Sequence, residues 1–311
     1  MKVIVIIPAA GLGTRMAPPS SGKGKKSKQF TELAGTPILI HTLRKFAALP
    51  TVSEIWIALR PTEISEFRSR LESDSKDILQ KNVHLVEGGE HRQQSVASAL
   101  REISAGNDDI VLVHDAVRPF VTPEIIVEVI AAAQKYGAAI AGMPAVDTVK
   151  QVERTSEGAV ITATVPRERV VMAQTPQGFR YEVLKKAFDE AAADEFMGTD
   201  EASLVERSGK EVAVVMGSPR NIKITTPADM ELAEFFLKRW MEDTILLELK
   251  AARSLDPSHE AQLLHYRKCS AIEAGLLLKF GSRPQFRRLV FDNQRKTIRE
   301  NLRESVAEVL R

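Results

Sequence analysis

Residues 3–7 read Val-Ile-Val-Ile-Ile, apolar at every position, and run into Pro8 and the loop Ala9-Ala10-Gly11-Leu12-Gly13. A strand with one wet face alternates apolar and polar residues. A strand apolar throughout must be covered on both faces, as inside a parallel sheet. The segments that follow meet the same demand. Strand-like runs at 55–59, 84–86, 110–114 and 138–142 alternate with helical spacing at 38–46, 62–73, 94–103 and 123–136. This alternation predicts a doubly wound α/β domain with a mostly parallel, Rossmann-like sheet. Ligands of such sheets bind beyond the C-terminal ends of the strands. Polar residues just after each strand are therefore the first candidates for a site.

The rhythm breaks at residues 147–174. Short β segments at 149–152 and 160–164 flank the turn Ser156-Glu157-Gly158 and predict a β-arm leaving the main sheet. Such an arm has an exposed edge, which pairing with a second copy would cover, so a homodimer is expected. Runs at 212–216 and 222–224 predict the final strands, and a helix from near Pro227 closes the domain at about residue 237. Residues 238–311 form a small α+β extension. It has strand-like runs at 245–250 and 275–280, helical spacing at 259–268 and a charged amphipathic helix over 293–311.

Composition narrows the function classes. The chain has 311 residues and a net charge of +2, so no global field favours nucleic acid or a membrane surface. Its one cysteine, Cys269, cannot form an internal disulfide and fits the reducing cytoplasm. The apolar run at residues 3–7 is too short for a secretory core or a membrane span.

Four clusters could carry chemistry. Small residues at Ala9, Ala10, Gly11 and Gly13 let backbone N–H groups approach phosphate. From Arg15 to Lys28 there are five cations (Arg15, Lys23, Lys25, Lys26, Lys28) and no acids, a lining that suits a triphosphate. The alternative is a glycine turn followed by a solvated basic loop. Asp115 follows the 110–114 strand, where a carboxylate can hold Mg²⁺ together with phosphate oxygens. A helix N-cap or an ion pair with Arg118 would equally explain it, and His114 beside it suits a packed, hydrogen-bonded histidine. Gly88, Gly89, Glu90 and Ser95 suit recognition of a base edge, or simply a loop and helix cap. Thr199-Asp200-Glu201-Ala202-Ser203 has the form of a capping box. Lys223 lies in the strand-like run Asn221-Ile222-Lys223-Ile224-Thr225, as either edge protection or a cation aimed at the site.

In order along the chain, Pro-Ala-Ala-Gly-Leu-Gly-Thr-Arg-Met, Lys-Gln-Phe, Glu-Gly-Gly-Glu-His-Arg-Gln-Gln-Ser-Val, Val-His-Asp-Ala-Val-Arg-Pro, Asp-Thr-Val-Lys, Gln-Thr-Pro-Gln-Gly-Phe, Thr-Asp-Glu-Ala-Ser and Asn-Ile-Lys-Ile-Thr resemble the 2-C-methyl-D-erythritol 4-phosphate cytidylyltransferase family over about residues 2–237. The resemblance implies a Mg²⁺-dependent transfer of a cytidylyl group from CTP to methylerythritol phosphate in the non-mevalonate isoprenoid pathway. By motif, Arg15 and Lys28 would neutralise the triphosphate, and Asp115 would hold Mg²⁺. Gly89, Glu90 and Ser95 would meet the cytidine. Lys223 would face the reacting phosphates, and Thr148 and Arg167 on the arm would bind the acceptor across a dimer. Two features depart from the family: the 16–28 loop is longer, and Ser27 stands where the family often has proline. A cytidylyltransferase for another polyol phosphate, such as ribitol 5-phosphate, would differ mainly around Thr148 and Arg167. A third alternative is a nucleotide-binding regulator that has lost catalysis, against which stand the retained Arg15, Lys28, Asp115 and Lys223.

Residues 242–281 resemble the back half of the GxxExxY family, which has a PD-(D/E)xK nuclease-like fold. Its Glu-x-Lys pair would match Glu248 and Lys250, with Gln262 on the following helix. The metal-binding Asp expected upstream is absent, since the matching position falls near Lys238, so the extension is expected to be catalytically inactive. It is also too short to bury an independent core well.

Overall fold

In the computed structural model the described residues are 1–11, 27–156, 158–241, 245–250, 274–279, 285–292 and 297–301, with side chains described up to residue 237. The chain divides into two compact units, Met1–Ala233 and Glu234–Arg311.

The first unit begins with β1 (Val3–Pro8), the short hairpin β2 (Glu32–Leu33) and β3 (Thr36–Pro37), and α1 (Ile38–Ala47). Then come β4 (Glu54–Leu59), α2 (Pro61–Asp74), β5 (Asn82–Glu87), α3 (Arg92–Glu102), β6 (Ile110–Val113), α4 (Pro123–Tyr136) and β7 (Ala138–Pro144). The arm is β8 (Val149–Thr155) and β9 (Gly158–Val165), followed by β10 (Val171–Arg180), α5 (Tyr181–Ala193), α6 (Glu201–Arg207) and β11 (Ala213–Met216); α7 (Pro227–Met241) begins in this unit and ends in the second. One seven-stranded sheet, ordered β11-β7-β10-β6-β1-β4-β5, organises the unit. All its pairings are parallel except those of β10, which is antiparallel to both β6 and β7.

The central strand shows why its composition had to be apolar throughout. Val3, Val5 and Ile7 pack in one core with Leu39, Leu43 and Phe46 of α1 and Ile126 and Val129 of α4. Ile4 and Ile6 point the other way, into a second core with Val96 and Ala99 of α3, Leu184 and Phe188 of α5 and Leu204 of α6. At ~1.5–3 kcal/mol for each fully buried aliphatic side chain, β1 contributes heavily to both layers.

Three expectations are corrected. First, β10 crosses the middle of the sheet although residues up to Gln174 read as part of the arm. Pro176 disqualifies a run from a central strand unless it sits at a bulge. The β10–β7 register does shift between Ala173 and Gln177, and the Thr175–Pro176 peptide is cis. Second, residues 222–224 are not a strand. Ile224 N–H donates instead to the Val117 carbonyl at 2.9 Å, tying the segment to the turn after β6. Third, residues 297–301 within the expected C-terminal helix form a strand.

The arm is an antiparallel hairpin, Val149 opposite Val165 through Thr155 opposite Gly158. Its apolar side chains are open: Val152 is 50% exposed, Val160 58% and Ile161 60%.

The second unit contains β12 (Ile245–Lys250), β13 (Ala274–Lys279), β14 (Gln285–Asp292) and β15 (Thr297–Asn301), in that order across one sheet. β12 and β13 are parallel and the other pairs antiparallel. Pairing of β15 with β14, Asp292 opposite Thr297, overrides the helical spacing of that segment. The helix expected at 259–268 lies outside the described residues.

Candidate active site

The strand C-terminal ends converge on a cleft of about 200 Å³, lined by Pro8 to Gly11, Lys28, Gln29, Gly89 to Arg92, Ser95, Asp115 to Val117 and Lys223. Its floor is set by the sheet. Ala9 N–H donates to the Ala58 carbonyl at 2.8 Å and Gly88 N–H to the Leu59 carbonyl at 2.7 Å, so the loops after β1 and β5 are drawn together. A Cβ on Gly88 would meet Ala10 Cβ at 2.5 Å, so glycine there is what lets the two loops touch. Ser95, buried at the start of α3, donates to the His91 carbonyl at 3.1 Å. Glu90 is exposed at the rim. Lys28 opens a 3₁₀ turn, Lys28–Phe30. The buried Gln29 side chain in that turn donates to the Ala9 carbonyl, which fastens Lys28 beside the glycine loop.

Asp115 is the electrostatic centre. Its carboxylate is buried, with Arg92 Nε 3.2 Å from Oδ1, Arg118 Nε 3.1 Å from Oδ2 and Lys223 Nζ 3.0 Å from Oδ2. Burial alone would raise its pKa, but Arg92, Lys223 and Arg118 together hold the carboxyl far below the usual carboxylate range. Arg92 also grips Glu201, with Nη1 at 2.6 Å from Oε1 and 2.5 Å from Oε2. Burial pushes the Glu201 carboxyl up, against the pull of Arg92. A single guanidinium nitrogen, Nη1, thus meets both Glu201 oxygens.

A neutral network holds this centre in place. Asp115 N–H donates to Thr175 Oγ1 at 3.0 Å, and Thr175 Oγ1 lies 3.0 Å from His114 Nδ1. His114 Nε2 lies 3.1 Å from the Arg118 carbonyl, so the ring bridges β10 and the turn after β6. Burial pushes the His114 pKa down to about 4, against the raising effect of that carbonyl, so the ring is neutral at pH 7. His114 is the packed histidine its sequence context suggested. Asn221 closes the network, donating through Nδ2 to the Thr175 carbonyl at 2.8 Å and accepting Arg118 Nη1 on its own carbonyl at 2.6 Å.

Of the residues singled out in the sequence, Ala9, Ala10, Gly11, Lys28, Gly89, Glu90, Ser95, Asp115 and Lys223 line one cleft. Gly13 and Arg15 lie outside the described residues. Thr148 and Arg167 are exposed on the arm and do not line the cleft of their own chain. Arg167 Nη1 donates to the Val146 carbonyl at 2.8 Å. The ion pair between Asp115 and Arg118 is present, as one of three among the described residues. Arg92 and Glu201 were missed: each sits inside a motif already noted, and only the fold brings those motifs together. A basic residue three before Ser95 and an acidic residue at the start of a cap were the available signals.

Comparison with known proteins places the first unit. Residues 3–239 match the family model of 2-C-methyl-D-erythritol 4-phosphate cytidylyltransferase, and residues 218–289 match that of the PD-(D/E)XK nuclease superfamily. The chain is similar to the 2-C-methyl-D-erythritol 4-phosphate cytidylyltransferase of Acidobacterium capsulatum, 58% identical over 239 residues, which are 77% of this chain and 98% of that protein. The protein of the same description from Solibacter usitatus is 53% identical over 239 residues, covering 76% of this chain and 96% of its own length. Among solved structures, that of the Francisella tularensis cytidylyltransferase superposes with a TM-score of 0.62 at 35% identity, covering 76% of this chain and 99% of that one. The Thermus thermophilus structure gives 0.60 at 33% identity, with coverage of 76% and 100%.

Proposed function

The chain belongs to the 2-C-methyl-D-erythritol 4-phosphate cytidylyltransferase family, and we propose that it joins CTP to 2-C-methyl-D-erythritol 4-phosphate, giving CDP-methylerythritol and pyrophosphate for non-mevalonate isoprenoid synthesis. The observation that carries this reading is the meeting of Lys28, Lys223 and Asp115 with the glycine loop at the strand ends.

The chemistry follows from charge. A phosphate oxygen of the acceptor attacks the α-phosphorus of CTP in line. A new P–O bond forms, the bond to the β-phosphate bridging oxygen breaks, and pyrophosphate leaves with that electron pair. The nucleophile is already an anion, so no general base is required. What must be overcome is repulsion between two anions and the charge growing on the leaving oxygen. Backbone N–H groups at Ala10, Gly11 and Gly13 cradle the phosphates; the Ala9 N–H is taken by the Ala58 carbonyl, so Ala9 contributes by fixing the start of that loop. Arg15 and Lys28 neutralise the triphosphate, and Lys223 faces the reacting phosphates. Gly89, Glu90 and Ser95 hold the cytidine.

Among the described residues no group of three or more His, Cys, Asp or Glu side chains could hold a metal by itself. Mg²⁺ usually takes one or two carboxylates and completes its shell with water and substrate phosphates. One buried carboxylate, Asp115, in the lining of a phosphate cleft fits that pattern. Bound there, Mg²⁺ would withdraw charge from the phosphates and lower their repulsion.

Thr148 and Arg167 bind the acceptor in the cleft of a partner copy, the arm crossing between subunits of a homodimer. The open Val152, Val160 and Ile161 on the arm support this, since such a surface is ordinarily covered. The enzyme acts in the cytoplasm, consistent with its lone cysteine. Among the described residues no helix is long and apolar enough to cross a membrane. Domain 1–237 carries the activity, and the nuclease-like residues 238–311 do not catalyse.

The test gives purified full-length protein CTP and Mg²⁺ with either methylerythritol phosphate or ribitol 5-phosphate, and follows pyrophosphate release. Release with methylerythritol phosphate is expected. Release with ribitol phosphate alone would reassign the acceptor, and none with either would favour a non-catalytic nucleotide-binding protein.

A further inference from the structure

Glu201 is 1% exposed and does not line the cleft, yet it makes the closest ion pair of the Asp115 cluster. The fold holds it there deliberately from several sides. Asp200 Oδ1 accepts Ser203 N–H at 2.9 Å and caps α6. Gln177 of β10 donates to Asp200 Oδ2 at 2.7 Å and accepts Ala202 N–H at 3.1 Å, which ties the first turn of α6 to the sheet. Gln93, next to Arg92, accepts Gly198 N–H at 2.9 Å and donates to the Phe196 carbonyl at 3.0 Å, which ties the approach to α6 to α3. A capping box alone needs none of this reach, and it does not need glutamate at the position after the cap.

The charges show what the arrangement does. Three cations, Arg92, Arg118 and Lys223, surround the single carboxylate of Asp115. Arg92 divides its donors: Nε goes to Asp115 and Nη1 goes to both oxygens of Glu201. Without the Glu201 charge, Arg92 would turn its whole fork onto Asp115, because planar bidentate pairing is the preferred guanidinium–carboxylate geometry. That would displace Lys223 from Asp115 Oδ2 and add one positive charge to the cleft.

We propose that Glu201 is a positioning residue of the cytidylyl transfer: by occupying the Arg92 guanidinium it confines Arg92 to Oδ1 of Asp115 and leaves Oδ2 to hold the Lys223 amine where it faces the reacting phosphates. This inference rests on the cytidylyltransferase reading. It separates turnover from nucleotide binding in a way that mere structural support does not. An uncharged residue at 201 leaves the cleft more positive, so CTP binds as well or better, while the reacting groups are misplaced.

The test uses the full chain and compares Glu201→Gln, Glu201→Asp, Arg92→Gln, Arg92→Lys and the double variant Arg92→Gln/Glu201→Gln. It measures melting temperature, CTP dissociation constant by calorimetry, and kcat by pyrophosphate release. Glu201→Gln is expected to lower kcat by roughly ten- to a hundredfold, the scale of losing a residue that orients a ligand-bearing carboxylate, with a CTP Kd unchanged or tighter. Glu201→Asp should recover part of the turnover. The double variant should lose no more than its worse single parent, because the two residues act as one unit. An active wild-type chain whose Glu201→Gln variant turns over within twofold would overturn the proposal. So would a kcat loss matched by equal weakening of CTP binding, or equal losses in the Gln and Asp variants. Should Glu201→Gln fail to fold, Arg92→Lys decides: its point charge cannot bridge both carboxylates, and unchanged kcat there overturns the proposal. A wild-type chain inactive with CTP and either acceptor would remove the proposal together with its premise.

Discussion

Lys223 Nζ lies 3.0 Å from Asp115 Oδ2, with the lysine side chain 37% exposed and the carboxylate 8%. The pair is thus half open: the acid is fixed in the interior and the amine reaches toward the cleft. Both flanks of Lys223 are anchored, Asn221 through its bonds to Thr175 and Arg118 and Ile224 through the Val117 carbonyl. A phosphate entering the cleft meets an ammonium already placed, at little reorganisation cost.

Cations that meet the triphosphate should govern turnover. Lys28→Ala and Arg15→Ala are each expected to lower kcat by roughly 10²–10³, the scale for losing one transition-state donor. Pyrophosphate release at saturating substrates measures this, and near-normal turnover in both variants would sink their assignment.

A shared active site predicts complementation. Lys28→Ala disables the cleft and Arg167→Ala disables the arm, so each pure variant should be nearly inactive with methylerythritol phosphate. Mixed and allowed to exchange subunits, half the dimers would carry one intact site, and activity should return to about a quarter of the wild-type level. No recovery after confirmed exchange would place both residues in the same subunit's site.

His114 should leave a pH signature on stability. Its folded pKa of about 4 lies below the ordinary 6.5, because burial disfavours the imidazolium. Protonation therefore favours the unfolded chain. The contribution is fully present above pH 6.5, is lost as pH falls from about 6.5 to about 4, and is constant below. By linkage the loss is roughly 3 kcal/mol. Asp115 acts only below the ordinary carboxylate range, because its folded pKa is depressed. Urea unfolding of wild type and His114→Gln across pH 4–7 checks this; parallel curves would show that His114 is not the group responsible.

Gly88→Ala should couple stability to nucleotide affinity. The added Cβ would lie 2.5 Å from Ala10 Cβ and 3.0 Å from Ser95 Oγ, so it pushes on the phosphate loop itself. Overpacking of this kind costs about 1–3 kcal/mol. The expected outcome is a lowered melting temperature with a raised KM for CTP. A stability loss with unchanged KM would show that the loop shifts without affecting the nucleotide.

Much of the architecture was legible along the chain because its signals are local. The uninterrupted apolar run of β1 demanded two covering layers, and its alternate residues do enter two cores. The α4 helix matched its expected range, bounded by Thr122 and Pro123 at its start and Gly137 at its end. The cleft residues after β1, β5 and β6 could be named in advance because a parallel sheet brings its strand ends together. What stayed hidden depends on pairing between distant segments. Whether Pro176 breaks a strand or marks a bulge is settled by the register against β7. Residues 297–301 are extended because β14 offers a ladder, whatever their helical spacing. The partition of Arg92 between Asp115 and Glu201 is likewise tertiary. The sequence by itself determined the layered sheet and the chemical types at its mouth. Only the tertiary structure decided which charges meet, because ion pairing falls off over a few ångströms and the chain order carries no such distance.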